Sequence, residues 1–386
     1  MESTIDYWFT IEPYVFVSIT DRCVLLYNTL DGVTIESEKI EIIDLLREML
    51  QEKNCGVALL TKERYEKKDV KRFIRELRTK FMGDIIDVSL SNGKPVQLLP
   101  YFNYSDKHKI FKELNSDKYK NVLENLFEIS VQVDTTTNLT KRISFMQSIS
   151  GTPKFNITGN IGAITNYSKL LSFLDQHPSP KYIFCSYTNV IALQPTFGNN
   201  FSYRILVNFP IDMQQWDSSW QLLCNQTLPL EYIFDVSSEE DCLQVEQLIE
   251  QFQIEHYQMN PIYTGENIRF FEENVFLSKE DIISKSLTIK DFFTHQAMNI
   301  YDFGKINIMP NGDAYANVNH PALGNIFRHS IHEIVQKEMD EGQSWFRIRN
   351  QAPCNKCVYQ WLCPSPSNYE ISIGHPNLCH IEVIEK

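Results

Sequence analysis

The chain has 386 residues, 43% of them hydrophobic, with 14 glycines and 16 prolines. That is enough for two or three cores and leaves no room for a large disordered tract. Its 49 acidic side chains outnumber 36 basic ones, and the net charge of −13 repels phosphate, which argues against general nucleic-acid binding. No apolar run approaches the roughly 20 residues of a membrane span. Acidic residues stand close to Met1, where a secretory signal has basic ones, so a cytoplasmic protein with reduced cysteines is expected.

Residues 7–17 are aromatic and β-branched, and Cys23–Asn28 followed by a turn at Asp31-Gly32 and Val33–Ile35 reads as a hairpin. Three strands are therefore expected first. Ser37 then caps a helix with Ile42, Leu46, Met49 and Leu50 at helical spacing, stopped by Asn54-Cys55-Gly56. A short strand at Val57–Leu60 precedes a second helix, Asp69–Met82, with a stripe of Val70, Phe73, Ile74, Leu77 and Phe81. Lys68, Lys71, Arg72, Arg75 and Arg78 lie on its other side. Such charges are ordinarily a solvated face; the sharper alternatives are recognition of a nucleic acid or of an extended peptide added to a strand edge, and the acidic whole favours the peptide.

A strand around Ile85–Val88 ends this unit, and residues 96–125 read as a connector rich in Lys and Asn. Short apolar strands then alternate with helices: Phe127–Val133, Lys154–Thr158, Tyr182–Cys185, Tyr203–Phe209, Tyr232–Val236 and His256–Met259, with helices such as Tyr167–Leu174 and Ser238–Gln251 between them. Repeated β-α units predict a parallel sheet or partial barrel, with any chemistry at the C-terminal strand ends. A hairpin follows, Lys305–Met309 turning at Pro310–Asp313, then Leu323–Ile326 and a helix over about Ser330–Asp340.

Four of the nine cysteines crowd the last part in the pattern C-x2-C-x5-C-x15-C: Cys354, Cys357, Cys363 and Cys379. A close pair completed by more distant cysteines is how thiolates converge on one metal centre, zinc or iron–sulfur. Four thiolates close the shell of either, so the centre is structural or electron-relaying. His375 and His380 flank the last cysteine and read as bystanders, Tyr359 and Trp361 as walls, and Cys185, Cys224 and Cys242 as small core residues. Asp134 reads as a turn residue before a catalytic acid. No phosphate-binding G-x-x-x-x-G-K-[ST], zinc-protease H-E-x-x-H or G-x-S-x-G string is present.

The runs Ile306–Tyr315 and His320–Ile326, with the four cysteines, resemble the SPASM extension of radical SAM peptide maturases. The resemblance covers 301–386 well and 127–300 more loosely. Within it, the aromatic N-terminus, the Cys-Pro-Ser-Pro-Ser-Asn-Tyr-Glu string and the Gly-His-Pro-Asn-Leu-Cys-His string resemble pseudo-radical-SAM proteins of Bacteroidales peptide-modification systems whose precursors have a Gly-Gly leader. Radical SAM enzymes place C-x3-C-x2-C after the first barrel strand. Here Thr137, Lys141 and Ser144 stand there, and the cysteines before 354 are too widely spaced to form a triplet anywhere. Family enzymes place Gly-Gly-Glu-Pro after the second strand, where this chain has Gly159-Asn160-Ile161-Gly162, and Ile161 cannot pair with the cosubstrate's amino group. Members with two auxiliary clusters have further cysteines where Asn317 and Ser367 stand, so the resemblance implies one 4Fe-4S cluster on Cys354, Cys357, Cys363 and Cys379, with zinc as the alternative.

The expectation is thus an α/β chain: a winged-helix-like peptide-recognition domain over 1–95, the connector 96–125, a degenerate radical-SAM-like partial (β/α) barrel over 126–300 and a SPASM-like metal domain over 301–386. No S-adenosylmethionine binding, nucleic acid or membrane is expected. The implied role is non-catalytic: to hold a precursor peptide by its leader and present it to an active radical SAM maturase. A peptide-modifying enzyme using the single cluster or a remodelled barrel pocket is the main rival, and a metal-containing winged-helix regulator the weaker one.

Overall fold

The computed structural model describes residues 5–54, 56–96, 122–196, 201–226 and 228–383, with side chains of 192–196 excepted. Most of the connector and Cys55 lie outside them.

The first unit is built from β1 (Tyr7–Ile11), β2 (Val15–Ile19), β3 (Val24–Asn28), β4 (Thr34–Ser37), α1 (Ile40–Met49), β5 (Val57–Leu60), α2 (Lys62–Tyr65), α3 (Lys68–Thr79) and β6 (Gly83–Asp87). Four strands precede the first helix where three were expected, because the Glu12–Tyr14 turn, closed by Val15 N–H donating to Glu12 O, divides the aromatic run. The strands make two antiparallel sheets, β5-β1-β6 and the meander β2-β3-β4. Their inner faces bury Phe9, Val15, Val17 and Leu26 against Leu46, Phe73 and Leu77 of α1 and α3. The second helix ends three residues earlier than its apolar stripe predicts: Phe81 turns left-handed at φ 54° and is exposed, and Gly83 opens β6. A side chain at Gly83 would meet Thr10 O at 2.6 Å, so the strand pair needs glycine there.

The larger part is a nine-stranded, mostly parallel sheet. Its strands and helices run β7 (Glu128–Val133), α4 (Leu139–Gln147), β8 (Lys154–Gly159), α5 (Tyr167–Gln176), β9 (Lys181–Ser186), β10 (Ser202–Asn208), α6 (Met213–Cys224), β11 (Leu230–Val236), α7 (Glu239–Phe252) and β12 (Tyr257–Pro261). These six strands are parallel and neighbour one another in chain order. Right-handed crossovers that always step the same way put every helix on one face. The period of two follows: Ile129, Val131, Phe155, Ile157, Ile183, Tyr203, Ile205 and Phe234 form one core with Met146, Leu170, Leu174, Trp216 and Val245 of the helices. Alternate residues on the opposite face are polar and paired, Lys154 with Glu128 at 2.6 Å and Arg204 with Glu231.

After α8 (Ile268–Asn274), α9 (Lys279–Ile283) and α10 (Ile289–Ala297), β13 (Lys305–Ile308) returns to lie parallel to β7, setting Ile306 beside Ile129. β14 (Asp313–Tyr315) and β15 (Gly324–Asn325) extend that edge antiparallel. The buried Arg142 of α4 fastens the return, its guanidinium donating to Gln132 O, Met309 O and Pro310 O at 2.8–3.0 Å. α11 (Ile331–Glu341) and α12 (Asn368–Ile373) complete the chain. Among the described residues no helix is long and apolar enough to cross a membrane.

Candidate metal centre

Local hydrogen bonding brings the four cysteines together. The one-turn 3-10 helix Cys354–Lys356 lets Cys357 N–H donate to Cys354 O at 3.0 Å, putting the close pair in a single turn. A second turn, Cys363 N–H to Tyr359 O at 3.1 Å, brings Cys363 back to them. Cys379 is delivered by a bridge to Leu277: Leu277 N–H donates to Leu378 O and His380 N–H to Leu277 O, at 2.9 and 3.0 Å. All four line one cavity of about 20 Å³, walled by Leu277, Leu378, Ile381 and Val383. None is disulfide-bonded. Among the described residues no three His, Cys, Asp or Glu side chains form a group that would hold a metal ion as they stand; the thiols share a cavity, not a closed shell.

The surroundings supply charge and donors. Arg349, 8% exposed, pairs with Glu370 at 2.8 Å and turns a second nitrogen towards Cys354 Sγ at 3.9 Å. Asn377 Nδ2 donates to Cys379 Sγ at 3.2 Å. Burial pushes the Cys357 and Cys363 thiols up, to about 11 and about 12, with the neighbouring cysteines adding to it and Arg349 opposing. At Cys357 and Cys363 burial outweighs that one guanidinium, and such a donor set suits a cation that displaces thiol protons. His375 is bonded to Asn377 O and His380 to Glu272 O, and neither lines the cavity. Tyr359 and Trp361 wall neighbouring cavities.

The cysteine loop also packs against the first unit. Phe16, Leu25 and Tyr27 of β2 and β3 form one buried cluster with Phe292, Val358, Tyr359, Leu362 and Cys363. Phe16 stacks on Phe292 with ring centroids 4.0 Å apart. Tyr27 Oη donates to Lys285 O at 2.7 Å and accepts from Leu287 N–H at 2.9 Å. Glu36 accepts from both Tyr359 Oη and Lys279 Nζ at 2.8 Å.

The remaining singled-out residues fall into two groups. Thr137, Lys141 and Ser144 lie in the loop after β7 and on α4, and Ile161 lies after β8, beyond the adjacent ends where Val133 is beside Gly159. Asp134 accepts from Thr136 N–H and from the Thr136 and Thr137 hydroxyls, which holds its carboxyl below the ordinary range and makes it a turn organiser. Asn138 caps α4, Lys141 lies over the Phe327 ring at 5.0 Å, and Ile161 is buried. Gly159 has φ 104°, and a Cβ there would meet Val133 O at 2.1 Å. Asn317, buried, donates to Asp302 and to Asn368, the residue next to Ser367. On α3, Lys71 pairs with Glu66 and Arg78 with Asp84, both at 2.8 Å.

Sequence reading missed Arg349, Glu370 and Asn377, which stand beside the four cysteines without any spacing signal. It also missed a cavity of about 600 Å³ beyond the C-terminal end of β12, lined by Pro261, Tyr263, Tyr301 and Tyr369 and sharing Leu277, Arg349 and Leu378 with the thiol cavity.

Fold and site together define an α/β protein with a singly wound parallel sheet and a buried four-thiol cavity. No family model matches the chain, and no curated protein does. Among solved structures, the crystal structure of E. coli MccB with ATP is similar at 10% identity over 63% of this chain and 67% of that one; its TM-score of 0.15 carries no argument about fold or function.

Proposed function

We propose that the chain is a non-catalytic accessory protein of ribosomal peptide maturation, a degenerate radical SAM/SPASM homologue that holds a precursor by its leader and presents it to an active radical SAM maturase. The observation that carries this reading is that Thr137, Lys141 and Ser144 follow β7 and Ile161 follows the neighbouring parallel strand β8. In the family it resembles, the cluster triplet and the cosubstrate's carboxylate partner meet over such a pair. Threonine, lysine and serine do not hold an iron–sulfur cluster, and isoleucine does not pair with an ammonium group.

Three further observations support it. Six parallel strands in chain order suit a partial (β/α) barrel over 126–300. Asn317 bonds Asn368, the residue next to Ser367, and 317 and 367 are where relatives with two auxiliary clusters place cysteines. The strand edges of the first unit suit peptide recognition by strand addition over 1–95. In the SPASM-like part, 301–386, Cys354, Cys357, Cys363 and Cys379 would hold a single 4Fe-4S cluster, or zinc in its place. When bound, such a group supplies a four-way cross-link and, for iron–sulfur, one-electron capacity. The chain's own residues would wall it from water, and Arg349 and Asn377 would offset its negative charge.

The cavity beyond β12 favours one second reading, a peptide-modifying enzyme using that pocket beside the centre. The ion pairs of Lys71 and Arg78 weigh against a regulator that binds DNA through α3. The readings separate in one assay: the purified chain with S-adenosylmethionine, reductant and its precursor yields no 5′-deoxyadenosine and no change in precursor mass, while binding the leader with micromolar Kd. Cosubstrate cleavage or a mass change by the chain alone would overturn the accessory role.

A further inference from the structure

Among the described residues β2 is an edge strand, paired only with β3. Thr29 N–H donates to Tyr14 O and Thr20 N–H to Cys23 O, at 3.2 and 2.9 Å, which fixes the even-numbered residues as those bonded to β3. In an antiparallel ladder the residues between them turn N–H and C=O outward, so those of Val17 and Ile19 face away. They open on a slot of about 210 Å³, whose other wall is Gln296 of α10 and the cysteine loop at Cys357, Gln360 and Trp361.

The slot is a half-open groove, and part of its polar lining is unmatched. Val17 and Gln296 are 6% and 7% exposed. Among the described residues the buried Gln296 Oε1 has no hydrogen-bond partner, and no bond to the outward groups of Val17 or Ile19 is made. Each buried polar group left unpaired costs about 1–3 kcal/mol, so the slot suits an occupant that offers backbone donors and acceptors at strand spacing and a donor to Gln296. Among the described residues no charged side chain lines it, so a charged segment would lose hydration there without a counter-ion. The opposite edge of the sheet is less open, since Lys80 Nζ already donates to the outward Thr34 O at 3.0 Å.

We propose that this slot docks an extended, uncharged peptide segment as a strand added to β2, flanked by the cysteine loop. The inference rests on the reading of the chain as a peptide-binding protein and names the edge and the chemistry it uses. Random heptapeptides displayed on phage are selected against the full chain, resynthesised with a fluorophore and titrated into variants. Val17→Pro removes the outward N–H and fills its place, while the ladder bonds belong to the even-numbered residues and an edge tolerates proline on its open side. Gln296→Leu removes the acceptor without touching the first unit, and Thr34→Pro controls for the other edge.

The expected result is an uncharged peptide whose Kd rises at least tenfold in Val17→Pro and severalfold in Gln296→Leu, is unchanged in Thr34→Pro, and whose binding protects the Val17 and Ile19 amides from hydrogen exchange. Recovery of no peptide, or equal binding to Val17→Pro and Gln296→Leu, overturns it. Loss of binding in Thr34→Pro alone would leave the peptide-binding reading standing and move it to β4. Protection of both amides in the free chain would mean that the chain itself or a second copy fills the slot, which also overturns the proposal.

Discussion

Arg349 and Glu370 are 8% and 4% exposed, bonded at 2.8 Å, with the thiol cavity on one side and the Ser367 cap of α12 on the other. Removing one partner of a buried pair strands the other charge, at a cost of about 3–5 kcal/mol. Arg349→Met is therefore expected to lose that much stability by urea unfolding and to bind metal more weakly, with no rescue by Arg349→Lys, which lacks the forked geometry. Glu338 is a second buried group with a readable consequence. It accepts from the Ser344 and Trp345 amides at 2.8 and 2.7 Å, yet burial raises its carboxyl from 4.5 to about 6. Protonation is thus favoured by folding: its contribution is fully present below pH 4.5 and is lost as pH rises through about 6. At about 1.4 kcal/mol per unit the loss is about 2 kcal/mol. The stability difference between the wild type and Glu338→Gln, followed by denaturant unfolding from pH 4 to 7, should shift against the wild type over that window.

Among the elements, the contact between β2–β3 and the cysteine loop turns on Tyr27, whose hydroxyl serves two backbone groups. Tyr27→Phe leaves both unpaired in a part-buried place and is expected to cost about 1–3 kcal/mol, with faster amide exchange at Leu287. Most elements were legible in sequence because their signals are local: period two marks β7–β12, Asp31-Gly32 marks the hairpin, and Ser330 with Glu333 makes the capping box of α11. α4 was passed over although Asn138 is its cap, because the Thr137–Ser144 run was read only as a replaced cluster loop. The return of β13 to β7 was not legible, since parallel pairing between distant segments leaves no local trace. That the four cysteines share one cavity could be read from spacing. Arg142 and Arg349 could not, because a single arginine in sequence is ordinarily exposed.

In the whole molecule, the first unit, the cysteine loop and the cavity beyond β12 meet around one set of residues: Cys357 lines the thiol cavity and the β2 slot, and Arg349 the thiol cavity and the β12 one. If the proposed centre is occupied, removing its metal by chelation should therefore raise amide exchange in Val358–Leu362 and along β2 together, while the β7–β12 sheet, with its own core, keeps its far-UV signal. The most direct test of the account is the iron, acid-labile sulfide and zinc content of the chain purified without oxygen, beside Cys357→Ser. The account predicts about four iron and four sulfide per chain, as one cluster requires, and their loss in the variant. A chain with no bound metal, with iron unaffected by Cys357→Ser, or with enough iron for further clusters would contradict it.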